Sequence, residues 1–232
     1  MLNIEQFRYG DNLGYLIYGE TEAMAVDGGA WMEILSFLDK HTLRLKIVTN
    51  THRHYDHTPG DDHLLKKTNA EFLDCKTFDD LEEIPIDGQA VRVYRTPGHS
   101  SDSVCFYTGR DLITGDTLFN GTVGNCFSGD LKGFFESIKR LSAFPDDTRV
   151  FAGHDYVRDS LAYARRLEPQ NRNIDLFQTA YDPDFVFSTL ECEKKINPYL
   201  RHNEAPIVDL LRKKGLPHST DWERWHSLMS MD

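Results

Sequence analysis

The feature that most constrains this chain is the run Thr51-His52-Arg53-His54-Tyr55-Asp56-His57, which puts three histidines and an aspartate within six residues. It follows directly on a short apolar stretch, residues 45–48, that reads as a buried strand. Histidines two apart on extended backbone point the same way, so His52 and His54 can grip one ion. Asp56 and His57 lie further along and can grip a second. Neutral imidazole and carboxylate are the ligands that Zn²⁺, Fe²⁺ or Mn²⁺ accept. A chain built this way needs a sheet edge at which side chains from several strands can meet.

The rest of the sequence supplies that edge. Residues 4–9, 13–18 and 23–26 carry aromatic and β-branched residues between the turn signals Gly10-Asp11-Asn12 and Gly19-Glu20, and read as strands. After Asp27-Gly28-Gly29, residues 30–38 place Trp31, Ile34, Leu35 and Leu38 at helical spacing. Residues 90–94, 103–107 and 112–114 read as strands. Residues 131–141 gather Phe134, Phe135, Ile138 and Leu141 on one helical face, and 149–152 is again a strand. Three further polar residues stand just past such strands: His99 in Thr96-Pro97-Gly98-His99, Asp116 in Gly115-Asp116, and His154 in Gly153-His154. Together these segments hold five histidines and two aspartates at strand ends, where functional groups on connecting loops gather. The joint reading is a two-metal site in an α/β fold. Asp27 suits either a turn before Gly-Gly or a hydrogen bond to one of the ligands.

Beyond Asp155 the texture turns helical: residues 156–167, 207–214 and 222–229. We place a boundary there, with residues 1–155 as the catalytic part and 156–232 as a mostly helical C-terminal region. The stripe Trp222, Trp225, Leu228 reads as packing, and Arg201 as a structural ion-pair or capping residue. Glu191, Glu193, Lys194 and Lys195 read as a solvated stretch. His41, His63, His202, His218 and His226 have no motif context.

Charge narrows the functional classes. The net charge of −11 repels a phosphate backbone, so nucleic-acid binding is not expected. Nearly all of the excess lies before Tyr156, so an anionic substrate would need metal cations or the C-terminal part. No apolar run is long enough to span a membrane. The first residues lack a basic region followed by an apolar stretch, so no secretory signal is expected. Cys75, Cys105, Cys126 and Cys192 form no CxxC pair and read as buried reduced thiols of a cytoplasmic protein.

HxHxDH followed by Gly-His, Gly-Asp and Gly-His resembles the metallo-β-lactamase superfamily. That resemblance implies an αββα sandwich with a small, mostly helical C-terminal domain. It implies one ion on His52, His54 and His99, another on Asp56, His57 and His154, and Asp116 bridging them. A narrower similarity, to hydroxyacylglutathione hydrolases (glyoxalase II), rests on Gly115-Asp116-Thr117-Leu118-Phe119, Gly153-His154-Asp155-Tyr156, Leu167-Glu168-Pro169-Gln170-Asn171 and Asn197-Pro198-Tyr199-Leu200-Arg201. It implies a small-molecule thioester substrate such as S-lactoylglutathione, with Tyr156 contacting it. Where that family holds glutathione with a lysine and a tyrosine, this chain has Asn125 and Phe127, both candidate pocket residues. Arg212, Lys213 and Lys214 are candidates for a substrate carboxylate, or a basic helix end complementing its dipole before Gly215.

The chemistry expected is attack by a metal-bridging hydroxide. Two cations lower the pKa of a shared water from 15.7 toward about 7, with Asp56 and Asp116 taking part as ligands. A thiolate leaves without a dedicated acid, since a thiol pKa is about 8.5. Zinc is the leading metal. Alternatives are a mononuclear iron persulfide dioxygenase using His52, His54 or His99, and Asp116; a lactonase or phosphodiesterase of the same fold; and a metal-stabilised module without turnover.

Overall fold

The computed structural model describes residues 1–231. One sheet runs in the order β1 (Asn3–Tyr9), β2 (Asn12–Tyr18), β3 (Glu22–Val26), β4 (Arg44–Thr49) and β5 (Glu71–Phe72). The second sheet takes β6 (Glu83–Ile86), β7 (Gln89–Arg95), β8 (Val104–Tyr107) and β9 (Asp111–Gly115) in sequence. It is completed by β12 (Arg149–Ala152) and β13 (Ser188–Thr189). Between β9 and β12 lies a small hairpin of β10 (Leu118–Phe119) and β11 (Thr122–Val123).

The layering follows from period-two burial. On β2, Leu13, Tyr15 and Ile17 face the second sheet, while Leu16 faces outward onto helices. On β3, Met24 and Val26 point between the sheets and Ala23 and Ala25 point away. The second sheet repeats this, with Ile113 and Phe151 inward and Leu112 and Val150 outward. Both faces of each sheet are therefore apolar, and helices cover the outer ones. α1 (Trp31–His41) and α2 (Asp61–Lys67) cover the first sheet through Ile34, Leu38 and Leu64. α3 (Leu131–Ser142) covers the second through Phe134, Phe135, Ile138 and Leu141. The result is the expected αββα sandwich.

The C-terminal region is helical, with α4 (Val157–Leu167), α5 (Arg172–Ala180), α6 (Leu190–Ile196), α7 (Ala205–Lys213) and α8 (Asp221–Met229). It shares its cores with the sandwich. Val157, Leu161, Ile174 and Phe177 join the inter-sheet cluster, and Tyr199, Ile207, Leu211, Trp225 and Leu228 join the cluster around α3. It also contributes β13, paired antiparallel with β12. Trp225 and Leu228 are fully buried, so the aromatic stripe is packing. Arg201 makes a two-pronged ion pair with the buried Glu168, at 2.7 and 2.8 Å.

Two expectations need correction. Glu193 is not solvated: it is fully buried, because α6 turns it onto the tip of the β10–β11 hairpin. The thiols form no disulfides, but only Cys75 and Cys105 are buried, while Cys126 and Cys192 are partly exposed. Among the described residues, no helix is long and apolar enough to cross a membrane.

Candidate metal centre

Strands from both sheets end at one edge of the sandwich. β4 runs into residues 50–57, β7 into Thr96-Pro97-Gly98-His99, β9 into Asp116 and β12 into Gly153-His154. The sheets are tied together there. Leu13 N–H donates to the Gly153 carbonyl at 2.8 Å, and Val104 N–H to the Thr51 carbonyl at 2.8 Å. Gly153 is required by space: a Cβ there would lie 2.2 Å from Asp116 Oδ1 and 2.9 Å from the His57 ring. Gly115, at φ +49°, lets the chain turn out of β9 to present Asp116, and a Cβ there would meet Thr51 Oγ1 at 2.4 Å.

The seven residues named from the sequence come together. His52 Nε2 lies 2.9 Å from His54 Nδ1, and His99 Nε2 lies 3.0 Å from that same atom. His154 Nε2 is 3.4 Å from Asp56 Oδ2, and His57 Nε2 is 3.7 Å from it. Asp116 stands between the groups, with Oδ1 3.4 Å from His57 Nε2 and Oδ2 3.5 Å from His99 Nε2 and 3.4 Å from His154 Nε2. Ligand atoms at 2.0–2.1 Å from one ion are about 2.9–3.4 Å apart for octahedral to tetrahedral angles, so the spacing suits shared coordination.

The surrounding hydrogen bonds orient these rings. Asp27, fully buried and at φ +52°, accepts from Thr51 N–H and Thr51 Oγ1, both at 2.8 Å. Its Oδ2 also lies 3.0 Å from His57 Nδ1, which leaves His57 Nε2 facing the centre. The hydrogen-bonding alternative for Asp27 is thus the one the fold uses. The Asn125 carbonyl lies 3.0 Å from His99 Nδ1. Asn12 Nδ2 donates to Asp56 Oδ2 at 3.2 Å, a contact made from the far end of the first sheet's hairpin. Asn12 had no local signal, since its partner lies 44 residues away.

Electrostatics favour a cation. Burial, with the nearby His57 charge, pushes the His52 imidazole down to about 3, and burial pushes His99 down as well. Both rings are neutral, with lone pairs available. Burial also opposes a charge on His57, yet the carboxylates of Asp27 and Asp116 outweigh it and raise its pKa far above the histidine range. Burial would raise Asp116, but the His154 and His57 rings 3.4 Å from its oxygens hold it well below the carboxylate range. The partners of Asp116 are all histidines, and no Lys or Arg reaches it among the described residues. His57 Nε2 and Asp116 Oδ1 are buried and lack hydrogen-bond partners. Such atoms are costly unless something polar joins them. A cation bound by nitrogen and oxygen meets that need.

The candidate substrate residues divide. Phe127, 68% exposed, sets its ring 5.2 Å from His99 and 5.8 Å from His54 at the rim. Asn125 lies beside it on the same loop. Tyr156, at the N-cap of α4, stacks on His154 with centroids 4.8 Å apart and planes within 6°. Arg212 is exposed, ends α7 and pairs with Asp209 at 2.7 Å. Lys213 lines a separate cleft with Arg166 and Arg172. His202, without motif context, proves structural: it is buried and bridges the Tyr199 carbonyl and Asp221, both at 2.7 Å.

Comparison with known proteins gives the family and the fold. Residues 74–154 match the model of the metallo-β-lactamase superfamily. The hydroxyacylglutathione hydrolase of Chromohalobacter salexigens is 31% identical, covering 89% of each chain. That of Pseudoalteromonas translucida is 30% identical, over 91% of this chain and 88% of its own. Among solved structures, ETHE1 from Myxococcus xanthus superposes with a TM-score of 0.70 at 21% identity, covering 98% of this chain and 90% of that one. The BLEG-1 B3 metallo-β-lactamase gives 0.65 at 20% identity, over 85% and 99%. These two likenesses show the fold. Family and donor cluster together imply binding of divalent metal. With its strand-end histidines and aspartates and its relatives along nearly its full length, the chain belongs to the metallo-β-lactamase superfamily and, within it, to the hydroxyacylglutathione hydrolase family of enzymes.

Proposed function

We propose that this protein hydrolyses a 2-hydroxyacyl thioester of the S-lactoylglutathione type, using two divalent ions, zinc foremost. His52, His54 and His99 hold one ion, Asp56, His57 and His154 the other, and Asp116 joins them. The observation that carries this reading is the placement of Asp116, whose two oxygens face His57 on one side and His99 on the other. When bound, the ions supply a Lewis acid for the thioester carbonyl and a water of lowered pKa.

The chain's own residues do the rest. Asp27 and the Asn125 carbonyl hold His57 and His99 in one ring orientation, which raises their quality as ligands. Tyr156 keeps its proton at neutral pH, since burial and the nearby carboxylates push it up to about 12. Its hydroxyl is therefore a donor for the substrate at the rim. Phe127 offers an apolar wall beside His54 and His99. No residue is needed to protonate the departing sulfur, because a thiolate is a fair leaving group. The unpaired thiols suit a reducing compartment, and the reading includes a cytoplasmic location.

The test is steady-state hydrolysis of S-lactoylglutathione by metal-analysed protein, with the same acyl group on a second thiol carrier in parallel. We expect turnover with about two metals per chain. Turnover of neither ester would overturn the reading. Asp116→Ala should lose activity by orders of magnitude together with bound metal, and a near-wild-type rate in that variant would refute the two-ion assignment.

A further inference from the structure

The four buried histidines of the centre differ in what holds their outer nitrogen. Asp27 Oδ2 stands 3.0 Å from His57 Nδ1, the Asn125 carbonyl 3.0 Å from His99 Nδ1, and Thr51 Oγ1 3.1 Å from His52 Nδ1. His154 directs Nε2 toward Asp56 and Asp116. Its Nδ1 is buried and has no hydrogen-bond partner among the described residues. A ring that binds a cation through Nε2 carries its proton on Nδ1, and that N–H needs an acceptor to fix the ring.

One carboxylate stands beside it. Asp11 Oδ2 lies 3.9 Å from His154 Nδ1. The backbone brings it there. The tip of the β1–β2 hairpin is bridged to the end of β12, with Asn12 opposite His154, and Asp155 N–H donates to the Asp11 carbonyl at 3.0 Å. Asp11 is thus fixed at its backbone and open at its side chain, which is 65% exposed. Rotation about its side-chain bonds covers the roughly 1 Å that separates this contact from a hydrogen bond. Tyr156 faces the same carboxylate. Its ring lies parallel to that of His154, with centroids 4.8 Å apart. Burial, and next the charge of Asp11, hold the proton on its hydroxyl, which stands as a second donor to Asp11.

We infer that Asp11 is a positioning residue of the metal centre: its carboxylate accepts from His154 Nδ1–H, fixing that ring for the ion it shares with Asp56 and His57, and the Tyr156 hydroxyl competes for the same acceptor. The inference rests on the two-ion reading above. A substrate that draws the Tyr156 hydroxyl onto itself releases Asp11 to His154, so that a substrate contact and a metal ligand are coupled through one carboxylate.

The experiment titrates zinc into metal-free protein against a chromophoric chelator. It compares wild type, Asp11→Ala, Asp11→Asn, Tyr156→Phe, the double variant Asp11→Ala/Tyr156→Phe, and the control Glu20→Ala, an exposed acid at the other end of β2. Asp11→Ala should weaken one of the two ions about tenfold and leave the other unchanged, the size of a lost outer partner of a ligand histidine. Asp11→Asn should recover most of that loss, because its amide oxygen still accepts; this separates a hydrogen bond from a mere change of charge. Tyr156→Phe keeps the stacked ring, removes the competing donor and should bind that ion more tightly than wild type. In the double variant the gain should vanish. In zinc-loaded protein labelled with ¹⁵N-histidine, the Nδ1–H signal of His154 should be protected from exchange in wild type and Tyr156→Phe and lost to exchange in Asp11→Ala, while the Asp27-bound His57 signal stays unchanged. Affinities in Asp11→Ala equal to those of Glu20→Ala, equal losses in Asp11→Ala and Asp11→Asn, or additive effects in the double variant would each overturn the inference. Failure of the reading beneath it looks different. If wild type binds two ions but hydrolyses no thioester, the hydrolase reading falls and Asp11 stands on the metal affinities. If wild type binds one ion only, the two-ion reading falls, and the Asp11 assignment falls with it unless that ion is weakened in Asp11→Ala.

Discussion

Glu193 makes a quantitative test of how the C-terminal region supports the centre. It is fully buried on α6 and, among the described residues, has no cationic partner. Its carboxyl accepts from Gly121 N–H, at 2.9 Å to the nearer oxygen, and from Asn197 Nδ2 at 2.9 Å. Gly121 lies at the tip of the β10–β11 hairpin, whose Phe119 packs against His154 and Tyr156. Burial pushes the carboxyl up to about 7 from an unfolded value of 4.5. An acid whose pKa is higher when folded ionises first in the unfolded chain. Below pH 4.5 both states are protonated and nothing is lost. Between there and pH 7 the unfolded state gains from ionising, and stability falls by about 1.4 kcal/mol per unit. Above pH 7 the loss levels off. Integrated between pH 5 and pH 8, the wild type should lose about 2.5 kcal/mol that Glu193→Gln does not lose. Urea unfolding of both proteins at equal metal loading, at pH 5, 6, 7 and 8, reads this directly, because all other titrations cancel in the difference. A wild-type minus variant difference that stays flat across that range would refute the account of a buried, uncompensated carboxyl.

Two further outcomes follow from the same contacts. Asp27→Ala removes the acceptor for His57 and Thr51, and should weaken metal binding about 10- to 100-fold in a chelator competition; unchanged affinity would show that His57 is oriented by other means. Arg201→Ala leaves Glu168 buried without its two-pronged partner and should destabilise the fold by about 3–5 kcal/mol, read as a lower Tm and denaturation midpoint, whereas a loss under about 1 kcal/mol would mean that Glu168 is solvated or protonated.

Much of the sandwich was legible because its signals are local. β2, β3, β9 and β12 alternate core residues at period two or run wholly apolar, and α3 puts Phe134, Phe135, Ile138 and Leu141 on one face. Two of the elements without clear signals were short and polar. Residues 61–67, DDHLLKK, form α2 although Leu64 is the only apolar residue it buries. Glu191, Glu193, Lys194 and Lys195 read as a solvated stretch, yet α6, which contains them, is held by Leu190 and Ile196 packing into two different cores. Nothing local reveals such packing, because the partner surfaces come from β12, β13 and the hairpin.

The candidate centre divides in the same way. The sequence alone determined which donors stand at strand ends, because HxHxDH, Gly-His and Gly-Asp are short-range patterns and strand direction carries each to the same edge. Family membership was legible for the same reason. Only the tertiary structure decided how those donors are oriented and charged. Asp27 reaches His57 across 30 residues and Asn12 reaches Asp56 across 44; burial sets the protonation of His52 and His99, and the neighbouring histidines, against burial, set that of Asp116. It also decided which cations stay uncompensated: Arg201 and Arg166 are alike in sequence, but folding gives Arg201 a buried carboxylate and leaves Arg166 facing an open cleft. Charge pairing and desolvation depend on distances between segments far apart in the chain, and those distances exist only once the two sheets and the C-terminal helices have packed.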